Sequence, residues 1–108
     1  MSRKPVLLAL AAVALVMVSF TAAHADNARV SWRHDAGHFE QVAGGKWVEK
    51  SADGKVTWHF EEQQRTADFV QLYDAGRDVH VRLYNDHCLV KIGDGRYENY
   101  YSGHWANR

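Results

Sequence analysis

Turn-forming residues recur along this chain at intervals of about ten residues, so each regular segment between them must be short. The turn signals are Asp53-Gly54, Arg65-Thr66-Ala67-Asp68, Ala75-Gly76, Asn85-Asp86 and Gly93-Asp94-Gly95. Asp-Gly favours a two-residue hairpin turn, because glycine adopts the positive φ that such turns require. Five turns at this spacing predict six short strands.

The segments between the turns alternate apolar and polar residues, as half-buried strands do. The sets predicted to face inward are Val56, Trp58 and Phe60, then Val70 and Leu72, then Val79, Val81 and Leu83. From Asp26 to Val42 the pattern is weaker, and Gly37 with its polar neighbours favours a loop with one short leading strand.

Strands joined by tight turns lie antiparallel and adjacent to one another. We therefore expect an all-β domain, a small antiparallel meander of six or seven strands closing toward a barrel, since closure removes exposed strand edges. The interior of so small a barrel is filled by its own side chains, which places any binding surface outside or at a rim.

Residues 1–25 have the pattern of a cleaved signal peptide. An apolar run from Val6 to Phe20 follows a basic start, and Ala23-His24-Ala25 places small residues where signal peptidase reads them. The run is shorter than the ~20 residues of a spanning helix. We expect cleavage before Asp26, which leaves one small β domain, residues 26–108, soluble in the periplasm or outside the cell and without a membrane span.

The charge of the mature domain argues against nucleic acid as a partner. Arg3 and Lys4 leave with the signal peptide, so 11 of the 13 basic side chains remain against 13 acidic ones, a formal net charge of −2. A nucleic-acid-binding domain would carry a basic excess on one face, whereas here both signs are interspersed along the chain.

The one cysteine, Cys88, has no partner for an intramolecular disulfide. It alternates with Val90 and Ile92, which favours a buried structural thiol over a reactive one. Pairing with a second chain stays open.

The closest pair of histidines is His34-Asp35-Ala36-Gly37-His38. On a helix both imidazoles would share a face, but the zinc-protease pattern needs Glu after the first His, where this chain has Asp35. His34 and His38 are weak metal candidates, a solvated loop is the simpler interpretation, and no cofactor is expected.

No pattern indicates an enzyme, and we identify no catalytic residues. Glu61 and Glu62 point to opposite faces of one strand and cannot flank a glycosidic bond. The chain has no nucleophile elbow, phosphate-binding glycine loop or dinucleotide fingerprint. Asp74 and Arg77 flank a turn and are predicted to form a local ion pair.

The mature part is rich in Trp and Tyr, and not all of them are needed inside. Exposed aromatic rings beside Asn, Asp and His suit a sugar, whose apolar face stacks on a ring while its hydroxyls bind polar groups. We therefore expect a non-enzymatic binding module, with a cell-envelope glycan as ligand and these candidate residues: Tyr84, Tyr100, Tyr101, His104 and Trp105. Two alternatives stay open: a protein-binding envelope factor such as an enzyme inhibitor, and a periplasmic protein that binds metal through its histidines.

Gly45-Lys46-Trp47 at the start of the first main strand, together with domain size and export, resembles small periplasmic barrels such as the C-type lysozyme inhibitors. Those inhibitors rely on a cysteine pair that this chain lacks, and their inhibitory residues have no matching positions here. The resemblance therefore implies no site residues.

Overall fold

The computed structural model describes residues 29–106, which form a closed barrel of eight antiparallel strands. The strands are β1 (Ser31–His34), β2 (Gly37–Ala43), β3 (Lys46–Ser51), β4 (Val56–Arg65), β5 (Val70–Asp74), β6 (Val79–Leu83), β7 (His87–Ile92) and β8 (Glu98–Trp105). Each strand pairs with its neighbours in sequence, and β8 closes the barrel against β1. The predicted signal peptide and its cleavage site lie outside the described residues.

The prediction of an all-β antiparallel meander that closes toward a barrel is confirmed, with eight strands in place of six or seven. The extra strand comes from the segment that we expected to be mostly loop. There Asp35 and Ala36 form a tight turn between β1 and β2, in which His34 lies opposite Gly37. No helix among residues 29–106 is long and apolar enough to cross a membrane.

Side chains of alternate residues fill the barrel interior. The largest are Trp32, Trp47 and Phe39, all at most 1% exposed. The inward sets predicted on β5 and β6 are confirmed, since Val70, Leu72, Val79, Val81 and Leu83 are all buried. Large aromatic rings occupy the space that wider barrels leave open for a ligand.

The prediction that Trp58 lies inside is wrong. Phe60 is buried, but Trp58, two residues earlier on the same face of β4, is 44% exposed, and Val56 is about half exposed. β4 has ten residues against six in β3, and the pairing of the two strands shifts register between Glu49 and Lys50. The first residues of β4 therefore lie at the open end of the barrel.

The barrel has two ends, named here the Arg77 end and the Tyr84 end. At the Arg77 end lie the turns of the hairpins β1–β2, β3–β4, β5–β6 and β7–β8, and Arg77 belongs to the third of these. At the Tyr84 end lie the connections β2–β3, β4–β5 and β6–β7, and Tyr84 belongs to the last of these.

Cys88 is a buried free thiol, as its alternation with Val90 indicated. Burial raises its pKa to about 12. We expect iodoacetamide at pH 8 to label native Cys88 about three orders of magnitude more slowly than an ordinary thiol, because alkylation requires the thiolate. Mass spectrometry of timed samples measures the rate, and the urea-unfolded chain is the control. Equal rates in both states would contradict a buried thiol.

Candidate functional site

The structure divides the five predicted ligand residues among three places. Tyr100 and His104 point outward from β8, and Tyr100 is 50% exposed. Tyr101 and Trp105 face inward and pack against the core. Tyr84 lies at the Tyr84 end, between β6 and β7. The five residues therefore do not form one surface, and Tyr84 borders a pocket.

That pocket, the Tyr84 pocket, has a volume of about 470 Å³. It lies between the β4–β5 and β6–β7 connections, which both reach the same end of the barrel because alternate connections of a meander do so. Its lining consists of Asp68, Phe69, Tyr84, Asn85, Asp86 and His87.

Three rings form the apolar part of the Tyr84 pocket. The rings of Tyr84 and His87 are stacked, with centroids 4.6 Å apart and planes inclined by 8°. Phe69 lies 5.2 Å from Tyr84 at an angle of 48°, and the guanidinium of Arg82 is 4.8 Å from the centre of the Phe69 ring. All three rings are partly exposed, so they can offer apolar surface to a ligand.

Backbone hydrogen bonds fix both connections that carry these rings. On the β4–β5 side, the Thr66 hydroxyl accepts hydrogen bonds from the backbone N–H groups of Asp68 and Phe69, each at 3.1 Å. On the β6–β7 side, the Tyr84 N–H donates to the His87 carbonyl at 2.9 Å. The Tyr84 carbonyl accepts from Nε1 of the buried Trp32 at 2.7 Å. The pocket is therefore tied directly to the core.

Carboxylate and amide groups surround the rings. Oδ1 of Asp86 lies 2.7 Å from Nδ1 of His87, and this hydrogen bond holds the pKa of the Asp86 carboxyl below its usual value. Asp68, Asn85 and Asp86 are exposed. The Tyr84 pocket thus combines flat apolar faces with hydrogen-bonding groups that can accept from hydroxyls.

The two histidines weighed as metal candidates lie in different surroundings. His38 is partly exposed on β2, with its Nε2 3.1 Å from a carboxylate oxygen of Glu40. The His34 side chain is only 1% exposed. Among the described residues, 29–106, no group of three or more His, Cys, Asp or Glu side chains could hold a metal ion.

A second polar cluster, the mouth cluster, lies at the Arg77 end and consists of His34, Glu49, Trp58, Arg77 and Tyr101. His34 and Tyr101 are stacked, with centroids 3.8 Å apart and planes inclined by 11°. Nε2 of His34 lies 3.5 Å from Oε2 of Glu49, whose side chain is 15% exposed. The guanidinium of Arg77 lies 3.5 Å from the centre of the Trp58 ring.

Burial shifts the pKa values of both His34 and Glu49 in the direction that favours their neutral forms. Desolvation lowers the pKa of His34, and nearby His38 lowers it further. Desolvation raises the pKa of Glu49, although Arg77 opposes the shift. Paired groups with opposed shifts are more common at functional sites than on ordinary surfaces.

Replacement of Glu49 by glutamine is expected to raise the melting temperature at pH 7. A carboxyl whose pKa is raised in the folded state stabilises the fold at pH values below its ordinary pKa of 4.5, and this stabilisation is lost as the pH rises through the raised pKa. At pH 7 the ionised Glu49 carboxylate therefore destabilises the fold. We expect a rise of a few degrees, since about 1 kcal/mol corresponds to about 4–8 °C in a domain of this size. Thermal unfolding followed by circular dichroism measures it.

The gain from Glu49→Gln should shrink as the pH falls below 4.5, where the carboxyl is protonated in both states. The matched control is Glu61→Gln, also on the barrel wall but with a side chain 69% exposed, for which we expect a change within about 0.5 kcal/mol. An unchanged or lower melting temperature in Glu49→Gln at pH 7 would show that the carboxylate stabilises the fold.

The sequence did not identify Phe69, His87 or the carboxylates of the Tyr84 pocket as neighbours. One signal in the sequence could have grouped them, because alternate connections of a meander lie at the same end of the barrel. The turn signals Arg65-Thr66-Ala67-Asp68 and Asn85-Asp86 are two connections apart and therefore share an end. Aromatic residues directly beside both signals could have been grouped on that basis.

No family model, no curated protein and no solved structure matches this chain.

Proposed function

We propose that this protein is an exported, non-enzymatic binding module that recognises a cell-envelope glycan at the Tyr84 pocket. The observation that carries the proposal is the arrangement of the Phe69, Tyr84 and His87 rings around one pocket of about 470 Å³ bordered by two carboxylates and an amide. Rings and acceptors are held in place by the connections that carry them.

Glycan chemistry fits both parts of this lining. The C–H face of a pyranose is apolar and packs on an aromatic ring, and its hydroxyls hydrogen-bond to carboxylates and amides, which accept strongly. Pockets that bind small molecules commonly combine aromatic walls with a few polar groups, and a volume of about 470 Å³ falls in the usual range of about 300–1,000 Å³. The pocket would hold one or two sugar rings.

Tyr84→Ala removes the central ring of the pocket and keeps the backbone carbonyl to which Trp32 donates. We expect this variant to lose at least tenfold in glycan affinity with little change in stability, because stacking on one aromatic ring is worth ~1–3 kcal/mol in comparable recognition. A glycan-array screen and a pull-down with insoluble peptidoglycan measure binding.

The matched control is Tyr100→Ala, which removes an equally large and more exposed tyrosine from the outer face of β8. Glycan binding that survives Tyr100→Ala and is lost in Tyr84→Ala supports the proposal. Equal loss in both variants would place recognition elsewhere. If no glycan binds but the protein captures an envelope protein, the function is that of a protein-binding factor.

A further inference from the structure

The polar groups that line the Tyr84 pocket are mainly hydrogen-bond acceptors. Asp68 and Asp86 border it, and the hydrogen bond with His87 holds the pKa of the Asp86 carboxyl below its usual value. Asp86 is therefore ionised at neutral pH, and an ionised carboxylate has no proton to donate. Its side chain is 88% exposed, so the oxygen that does not bond His87 is accessible to a ligand.

The same hydrogen bond decides which nitrogen of His87 carries the proton. Nδ1 lies 2.7 Å from Oδ1 of Asp86, and because the carboxylate can only accept, Nδ1 must be the donor. In the neutral imidazole Nε2 is then an acceptor, and this atom is not buried. The β6–β7 side of the pocket therefore offers a carboxylate and an imidazole nitrogen, both acceptors, beside the stacked rings of Tyr84 and His87.

The cations Arg29 and Arg82 lie near the pocket without lining it. The guanidinium of Arg82 lies 4.8 Å from the centre of the Phe69 ring, and Arg29 donates to the Thr66 carbonyl. Both contacts are with the β4–β5 connection, whereas Asp86 belongs to the β6–β7 connection. A positively charged group of a ligand should therefore bind on the β6–β7 side, beside the Asp86 carboxylate.

We propose that the Tyr84 pocket prefers glycans with free amino groups, that is, hexosamines without the N-acetyl group; this inference rests on the function proposed above. An ammonium group has three donors and no acceptor, so it matches a lining that mainly accepts. Its charge is attracted both by the carboxylate and by the faces of the rings. Acetylation removes that charge and adds a carbonyl, for which the lining offers only neutral donors such as the Asn85 amide.

The β-1,4-linked trisaccharides of glucosamine and of N-acetylglucosamine are matched probes, because they differ only in their acetyl groups. Each is titrated into the ¹⁵N-labelled full protein at pH 7 and low ionic strength, and the shifts of residues 66–69 and 84–87 give the dissociation constant. We expect the amino form to bind about fivefold more tightly, the scale of one exposed cation–π or ion-pair contact. Salt at about 0.5 M should remove most of this preference, because it screens exposed charges.

Asp86→Asn removes the charge but keeps an oxygen that can accept from His87, and we expect it to reduce the preference to within about twofold. The control Asp94→Asn removes an exposed carboxylate from the β7–β8 turn at the Arg77 end and should retain the preference. If both trisaccharides bind equally at the Tyr84 pocket, the preference for amines is wrong and the proposed function stands. If neither binds there, both proposals are wrong. A preference that survives in Asp86→Asn, or that Asp94→Asn also abolishes, would overturn the role of the pocket carboxylate.

Discussion

Replacing Trp32 by alanine is expected to lower the free energy of unfolding by about 3–5 kcal/mol. The Trp32 ring is fully buried, lies 6.2 Å from Phe39, and donates from Nε1 to the Tyr84 carbonyl at 2.7 Å. Alanine leaves a cavity and an unpaired carbonyl. Since small domains are stable by about 5–15 kcal/mol, such a loss removes a large share of the total.

Urea denaturation followed by far-UV circular dichroism measures the effect of Trp32→Ala. The matched control is Trp58→Ala, which removes the same side chain from the rim of the barrel, where its ring centre lies 3.5 Å from the Arg77 guanidinium. We expect this control to cost about 1 kcal/mol, the scale of an exposed cation–π pair. Equal losses in the two variants would contradict the assignment of one indole to the core and the other to the rim.

Gly37→Ala is expected to cost about 3 kcal/mol or more, because a Cβ at this position would overlap the backbone carbonyl of Lys50 on the neighbouring strand. Gly37 also has a φ of +153°, which side-chain-bearing residues rarely adopt. Relief requires β2 and β3 to move apart where Gly37 pairs with Ser51. The variant should be largely unfolded or strongly destabilised in a urea titration.

Gly45→Ala provides the comparison for Gly37→Ala. Gly45 lies in the β2–β3 connection, and no atom stands within 4 Å of the Cβ that alanine would add. We expect this variant to be neutral or more stable by about 0.4–1 kcal/mol, since alanine restricts the unfolded chain. If Gly37→Ala proved as stable as Gly45→Ala, this result would contradict the close contact between Gly37 on β2 and the backbone of Lys50 on β3.

The fold could be predicted largely from alternation and turn residues, whereas its first hairpin could not. Val79, Val81 and Leu83 alternate cleanly, and all three are buried. The β1–β2 turn at Asp35-Ala36 was missed because Gly37 looked like part of a loop. Glycine is required at position 37 because the backbone carbonyl of Lys50 on β3 lies where a Cβ would be. Local sequence does not reveal this contact between strands.

Alternation also predicts which face a side chain takes but not where the barrel ends. Trp58 shares the face of Phe60, yet it lies beyond the packed interior. The same limit explains why the five predicted ligand residues do not lie on one surface. Tyr100 and Tyr101 are adjacent on one strand, where the sequence predicts that neighbouring side chains face opposite ways, and in the structure Tyr100 is exposed while Tyr101 packs against the core. Which of the two faces the core depends on the pairing of β7 with β8, where Cys88 lies opposite Tyr101.

The measurement that tests the central proposal most directly is chemical-shift mapping of the ¹⁵N-labelled protein with soluble peptidoglycan oligosaccharides. We predict saturable shifts concentrated in residues 66–69 and 84–87, whereas the resonances of the hairpin turns at the Arg77 end should not move. These shifts should be lost in Tyr84→Ala and retained in Tyr100→Ala. Saturable shifts centred on the outer face of β8, or an unchanged spectrum at millimolar oligosaccharide, would contradict glycan recognition at the Tyr84 pocket.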